Sequence, residues 1–196
     1  MSKQTENFYN NFSVFYPLVD FFLKPQKNKL FHEINQLPYG KLLEIGVGNG
    51  NHFKQYTTHK ITGIDSSLKM LETAAKQKSD NIELLQMDGE KLLFQDQSID
   101  YVILSHVIAV VDNPEKLLEE VYRVLKPGGK IFILNHFTPE NWLRHVDHLF
   151  QKFSKLFHFR SVFYINSLAT IQKFRLLQEF RFGQYSYFKL LIYSKA

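Results

Sequence analysis

An apolar, strand-like run leads directly into three closely spaced glycines, which restricts the folds open to this chain. Residues 41–45 read Lys-Leu-Leu-Glu-Ile, and Gly46, Gly48 and Gly50 follow at intervals of two. Glycines let a backbone turn sharply and approach a ligand without a Cβ in the way. A second apolar segment ends at Asp65, 19 residues after Gly46, close to the roughly 20 expected of one strand–helix–strand unit. A carboxylate placed there accepts hydrogen bonds from ribose hydroxyls, so the segment predicts a nucleoside site.

The glycine spacing distinguishes two nucleoside-binding patterns. A dinucleotide fingerprint places its third glycine where this chain has Asn51. The form Glu44-x-Gly46-x-Gly48-x-Gly50 resembles instead motif I of the class I S-adenosylmethionine-dependent methyltransferases. Taken alone, three glycines can also make a plain turn, so further segments have to decide.

Three further segments follow in the order and at the spacing of that family. Residues 87–89, Met-Asp-Gly, come directly after the apolar run 82–86, and the family's aspartate there accepts from the adenine amino group. Residues 98–106 resemble the fourth strand of the family. In 124–134 a helix is stopped by Pro-Gly-Gly, and a continuous apolar strand follows, as expected for a strand buried on both faces.

The resemblance implies S-adenosylmethionine as the cofactor and S-adenosylhomocysteine as the product. It implies activity as a methyltransferase and no metal. The cofactor-binding residues carried over from the family pattern are Glu44, Gly46, Gly48, Gly50, Asp65, Ser66, Met70, Asp88, Gly89 and Ser105.

The alternation of strand and helix patterns from residue 40 to residue 135 predicts an α/β fold. The resemblance makes this a seven-stranded, mostly parallel Rossmann-like sheet with helices on both faces, closed by a terminal hairpin. The chain is expected to be one domain, 1–196, with an N-terminal helical lid (1–36) and an inserted helix (138–160). The predicted elements are helices at 5–22, 26–36, 66–78 (capped by Ser66 or Ser67) and 114–125, with terminal strands at 178–182 and 188–193.

Composition limits the compartment and the partners. The chain has no cysteine, so disulfides, a thiolate nucleophile and cysteine zinc sites are excluded. Its net charge is +5 and 15% of its residues are aromatic, which suits an anionic membrane surface as well as nucleic acid. The basic residues are scattered without a basic run, so no nucleic-acid partner is predicted. The polar start and the absence of a long apolar run predict a cytoplasmic protein.

The residues after the fourth and fifth strands point to a substrate. His106 follows one strand and Asn135-His136-Phe137 follows the next, at carboxyl ends where open α/β sheets place their ligands. With residues 15–20, Phe-Tyr-Pro-Leu-Val-Asp, this combination resembles bacterial soluble-type phosphatidylethanolamine N-methyltransferases. A quinone or other small-molecule methyltransferase of the same fold is the alternative. A cofactor- or membrane-binding protein without catalysis is a third possibility, against which the intact glycine set argues.

The inserted segment has the pattern of an amphipathic helix. Its apolar face is aromatic and its polar face is basic, a combination typical of helices that lie at a lipid surface. Packing on the domain itself is the other interpretation, and a metal held by His145 and His148 is not expected without a third ligand. The apolar residues at helical spacing are Trp142, Leu143, Val146, Leu149, Phe150, Phe153, Leu156 and Phe157.

Methylation of an amine requires removal of a proton, because an alkylammonium is mostly protonated at neutral pH. A neutral histidine or a tyrosine can relay that proton, so His106, His136 and Tyr16 are the predicted catalytic residues. The ring of Tyr16 can also face a sulfonium or a methylated ammonium. His52 and His59 are predicted to lie on surface helices without a specific role.

Overall fold

The structure, a computed structural model, describes residues 16–137, 163–182 and 188–196. Seven strands form one sheet in the order β3-β2-β1-β4-β5-β7-β6. Strands β1 to β5 are parallel to one another. Strands β7 and β6 are antiparallel and form one edge of the sheet. The strands are β1 (Lys41–Ile45), β2 (Lys60–Asp65), β3 (Ile82–Gln86), β4 (Ile99–Ser105), β5 (Leu125–His136), β6 (Phe174–Arg181) and β7 (Phe188–Lys195).

Side chains on successive strand residues point to opposite faces, which gives the sheet two apolar cores. On β5, Ile131 and Ile133 belong to one core, whereas Phe132 and Leu134 belong to the other. Helix α3 (Pro114–Val124) covers the first core, and helices α1 (Tyr16–Asn35) and α2 (Leu68–Ala75) cover the second. The predicted sheet with helices on both faces is therefore confirmed.

Two helix starts follow local sequence signals. Ser67 caps α2, because its hydroxyl accepts from the Met70 N–H. Asn113 caps α3, because its side-chain oxygen accepts from the Lys116 N–H, and Pro114 occupies the first turn. Both helices begin within two residues of the predicted positions, and of the two predicted caps for α2 Ser67 is the one used.

The first helix differs from the prediction. Instead of a break at Pro25, α1 runs unbroken through that proline. A proline inside a helix costs about 3 kcal/mol, and burial of an apolar side chain stabilises by about 1.5–3 kcal/mol. Leu30, Phe31 and Ile34 are all buried against the sheet, which offsets the cost. This half of the predicted lid is thus a sheet-covering helix, and residues 1–15 lie outside the described residues.

The terminal hairpin was predicted in outline and its first strand is longer than expected. β6 begins at Phe174 rather than at Gln178, because Phe174 and Leu176 already pair with β7. Over 16–137, 163–182 and 188–196, no helix is both long and apolar enough to cross a membrane.

Candidate active site

The glycine loop, residues 46–50, lies at the carboxyl end of β1. All three of its glycines have positive φ, at 77° for Gly46, 57° for Gly48 and 72° for Gly50. Such angles strain any residue with a Cβ, so glycine is required here by the backbone itself. The Gly46 N–H donates to the Ile64 carbonyl on β2 (2.8 Å), which ties the start of the loop to the neighbouring strand.

The space around these glycines is unequal. A Cβ on Gly50 would lie 2.6 Å from the Phe53 ring, and one on Gly46 would lie 2.8 Å from the Val107 side chain. A Cβ on Gly48 would meet nothing within 4 Å. Gly46 and Gly50 are therefore packed against the protein, whereas Gly48 presents a bare backbone on an open side where a cofactor can approach.

Asp65 closes the other side of this space. Its Oδ2 accepts from the Gly48 N–H (2.9 Å), and its Oδ1 accepts from the Ser67 N–H (2.9 Å). Burial, together with the charge of Glu44, raises the pKa of this carboxyl above its usual value, although backbone hydrogen bonds lower it. Asp65 therefore links the glycine loop to the start of α2, in the position from which a carboxylate meets a ribose.

The predicted adenine segment follows β3, next to Asp65. The Met87 N–H donates to the Asp65 carbonyl (3.1 Å), and Asp88, which is exposed, accepts from the Glu90 N–H through Oδ1 (3.0 Å). A Cβ on Gly89 would lie 2.7 Å from the Ile45 side chain, so packing against β1 explains this glycine. Ser66 directly precedes the N-cap residue Ser67, and Met70 donates its N–H to the Ser67 hydroxyl.

Glu44 lies on the face of the sheet that α1 covers, and only 2% of its surface is exposed. Its Oε2 accepts from the Tyr56 hydroxyl (2.8 Å) and lies 2.9 Å from His52 Nε2. Burial, followed by the charge of Glu44, raises the pKa of Tyr56 well above its usual value, so this phenol stays protonated and donates.

The prediction that His52 and His59 occupy surface helices is wrong. His52 packs beside Phe31 of α1, and His59 lies 2.9 Å through Nε2 from the Ile34 carbonyl, so both rings are buried beneath α1. The sequence did carry a signal for one of these contacts. A glutamate inside an apolar strand needs buried donors, and His52 and Tyr56 are those donors.

A second cluster lies at the carboxyl edge of β4 and β5. His106 has a positive φ of 59°, rare for a residue other than glycine, and its N–H donates to the Leu134 carbonyl (2.7 Å). Its ring meets the Phe188 ring edge to face, with 5.7 Å between centroids. The ring of His136 meets Phe188 in the same way at 6.5 Å. The two predicted histidines thus both contact one aromatic ring that the sequence did not indicate.

This second cluster adjoins the glycine loop. Ser105 is the last residue of β4, and Val107, which follows His106, is the side chain against which Gly46 packs. Strands β1 and β4 are direct neighbours in the sheet. Tyr16 is the first residue of α1, and its side chain lies outside the described part of the structure, as does the predicted helix 138–160.

Comparison with known proteins agrees with this geometry. Residues 43–133, which hold the glycine loop and β1 to most of β5, match the family model of a methyltransferase domain. A phosphatidylethanolamine N-methyltransferase of Cereibacter sphaeroides is 38% identical over 107 residues, covering 50% of this chain and 52% of that protein. A ubiquinone/menaquinone biosynthesis C-methyltransferase of Desulfotalea psychrophila is 34% identical over 105 residues, covering 51% and 43%. The chain spans about half the length of these curated relatives.

The fold is shared with solved structures over almost the whole chain. The crystal structure of a SAM-dependent methyltransferase from Thermotoga maritima superposes with a TM-score of 0.68 at 22% identity, covering 96% of this chain and 100% of that one. An open Gly48, a carboxylate at Asp65 and the order of the strands fit S-adenosylmethionine, the cofactor of this family. Residues 43–133 match the methyltransferase domain model, and the seven-stranded sheet built around them has the fold of solved S-adenosylmethionine-dependent methyltransferases.

Proposed function

We propose that this chain transfers a methyl group from S-adenosylmethionine to the amine head group of phosphatidylethanolamine. The observation that carries the proposal is the cluster of His106, Phe188 and His136 at the strand edge next to the glycine loop. The likeness to a phosphatidylethanolamine N-methyltransferase over half of the chain supports it.

The bound cofactor supplies an electrophilic methyl carbon on a sulfonium, so the chain's residues have to position the amine and take up its proton. An alkylammonium with a pKa near 10.4 has no lone pair available at neutral pH, whereas a neutral imidazole, with a reference pKa of about 6.5, can accept a proton. In the proposal, one of His106 and His136 is this acceptor. The face of Phe188 attracts the ammonium before the proton leaves, since a ring quadrupole attracts cations.

A quinone acceptor is the second candidate, because similarity to a ubiquinone/menaquinone C-methyltransferase covers a comparable share of the chain, 51%. A quinone precursor carries no ammonium, so the cation-attracting face of Phe188 would have no function. The histidine pair around this ring favours the amine.

One incubation separates the alternatives. Purified protein, S-adenosylmethionine labelled in the methyl group and total bacterial lipid are combined, and the lipid classes are separated. We expect label in N-methylated phosphatidylethanolamine. Label in the quinone fraction, or transfer only to a water-soluble amine, would replace the proposal with the small-molecule alternative. Binding of S-adenosylhomocysteine without transfer to any fraction would indicate a protein without catalysis.

A lipid acceptor also requires docking at a membrane, and the proposal includes an anionic surface on the cytoplasmic side. Each well-placed lysine or arginine adds about 1 kcal/mol of attraction, which salt screens. We expect sedimentation with vesicles of phosphatidylglycerol or cardiolipin, weakening with ionic strength, and little with zwitterionic vesicles.

The double substitution Trp142→Ala and Phe150→Ala should reduce this binding and leave cofactor affinity intact, because both residues lie on the apolar face of the predicted helix. If the protein does not bind anionic vesicles at low salt but methylates a water-soluble amine efficiently, the lipid interpretation is refuted.

A further inference from the structure

The glycine loop is closed at its base by a buried hydrogen-bond network. Glu44 precedes the loop, and His52 and Tyr56 follow it. Both later side chains meet the same oxygen, Oε2 of Glu44, at 2.9 and 2.8 Å. A buried carboxylate is costly unless donors surround it, so these contacts hold the two ends of the loop together.

Ordering the loop between these ends costs an unusually large conformational entropy. Three of its five residues are glycines, all at positive φ, and glycine gives up more conformational entropy on ordering than any other residue. Within the loop the Gly50 N–H donates to the Val47 carbonyl at 3.3 Å, a long bond. The bonds from Gly46 to Ile64 and from Gly48 to Asp65 anchor the first half of the loop, so the closure at the base bears mainly on its second half.

Helix α1 covers the outer side of the network. The ring of Phe31 stacks on His52, with centroids 5.5 Å apart, and meets Tyr56 edge to face at 5.0 Å. One turn further on, the Asn35 side chain donates to the Gln55 carbonyl (2.7 Å). The network is thus packed between the glycine loop and a helix that the family model does not include.

We propose that Glu44, His52 and Tyr56 form a latch that holds the glycine loop in its cofactor-binding conformation. Glu44 is then a positioning residue that acts through the loop backbone, and not the direct cofactor contact that the motif implied. The latch concerns cofactor affinity alone, so it does not depend on the identity of the methyl acceptor.

A matched pair of hydroxyl deletions tests the latch. Tyr56→Phe removes the donor to Glu44, whereas Tyr101→Phe removes a hydroxyl that donates to the Pro38 carbonyl (3.1 Å) at the other end of the sheet. By titration calorimetry below the unfolding temperature, we expect Tyr56→Phe to weaken S-adenosylhomocysteine binding about fivefold, the scale of one lost hydrogen bond, and Tyr101→Phe to bind as the parent does. Equal affinities in the two variants would overturn the latch.

Substitutions of Glu44 separate positioning from direct contact. Glu44→Leu should weaken binding at least about tenfold, because both donors lose their acceptor. Glu44→Gln should recover part of that loss, because its amide oxygen can accept from both donors without a charge. Glutamine as weak as leucine would mean that the charge itself touches the cofactor, and would refute the positioning role. Should Glu44→Leu not fold, His52→Leu takes its place, since it removes one donor and leaves Glu44 present.

Discussion

Substitution of Gly48 by alanine should separate cofactor binding from folding more cleanly than any other change in the loop. The new Cβ would meet no protein atom within 4 Å, so its cost to the fold is the backbone strain at φ 57°. That strain is about 1–2 kcal/mol. For a chain of this length, 1 kcal/mol lowers the melting temperature by about 2–4 °C.

The cost to binding should be larger. We assign the open side of Gly48 to the approach of the cofactor, and the added methyl group would occupy that space. Displacement of a bound group by about 1 Å can cost on the order of 10²-fold in function. We expect at least a tenfold loss of S-adenosylhomocysteine affinity, equivalent to about 1.4 kcal/mol.

Gly128→Ala is the control for this experiment. Gly128 has a similar φ of 75° and equally open surroundings, but it lies near the amino end of β5, away from the carboxyl edge of the sheet. Calorimetric titration and thermal unfolding of both variants measure the two costs separately. The melting temperatures should fall together, and the affinity should fall only in Gly48→Ala. Two variants that bind equally well would refute the assignment of this open face to the cofactor.

Three other predictions concern single side chains. Asp65→Ala should weaken cofactor binding by about 1.5–3 kcal/mol, measured by calorimetry, whereas Asp100→Ala, which removes a carboxylate from the opposite end of the sheet, should not; unchanged affinity in folded Asp65→Ala would remove that residue from the site. His106→Ala and His136→Ala should lower turnover about 10²-fold or more with cofactor affinity retained, and a parallel loss of both would contradict the proton relay. Burial raises the pKa of the Asp100 carboxyl, but the hydrogen bonds that this carboxylate accepts lower it by more, so the pKa lies below its usual value. Its contribution to stability is therefore present above about pH 4 and lost as the pH falls further, so parent and Asp100→Asn should converge in urea titrations at low pH.

The positions of the glycine loop and of Asp65 in the fold could be predicted because their signals are local in sequence. The apolar run 41–45, the three glycines and Asp65 belong to one strand–helix–strand unit, and the chain connectivity alone brings their ends to one edge of the sheet. The N-cap residues Ser67 and Asn113 could likewise be recognised in the sequence, because an N-cap side chain forms its hydrogen bond with the first turn of the helix that it caps.

The continuous course of helix α1 could not be predicted from local signals in the same way. Its proline predicts a break at residue 25, and local propensity would make one. The helix continues because Leu30, Phe31 and Ile34 are buried against strands more than 90 residues away in the chain. Tertiary packing of this kind outweighs a local penalty, and it leaves no trace in the pattern of the helix itself.

The roles of the buried polar side chains were decided in the same way. A histidine in a polar stretch looks the same in sequence whether it faces water or a carboxylate, so His52 was predicted to be exposed. Phe188 likewise appeared to be an ordinary strand residue, and its contact with both His106 and His136 arises from the antiparallel pairing of β5 with β7. By itself, the sequence determined the strand–helix unit, the glycine loop and hence the cofactor. Only the tertiary structure decided which side chains contact Glu44 and which ring His106 and His136 share, because those contacts join residues that no local spacing relates.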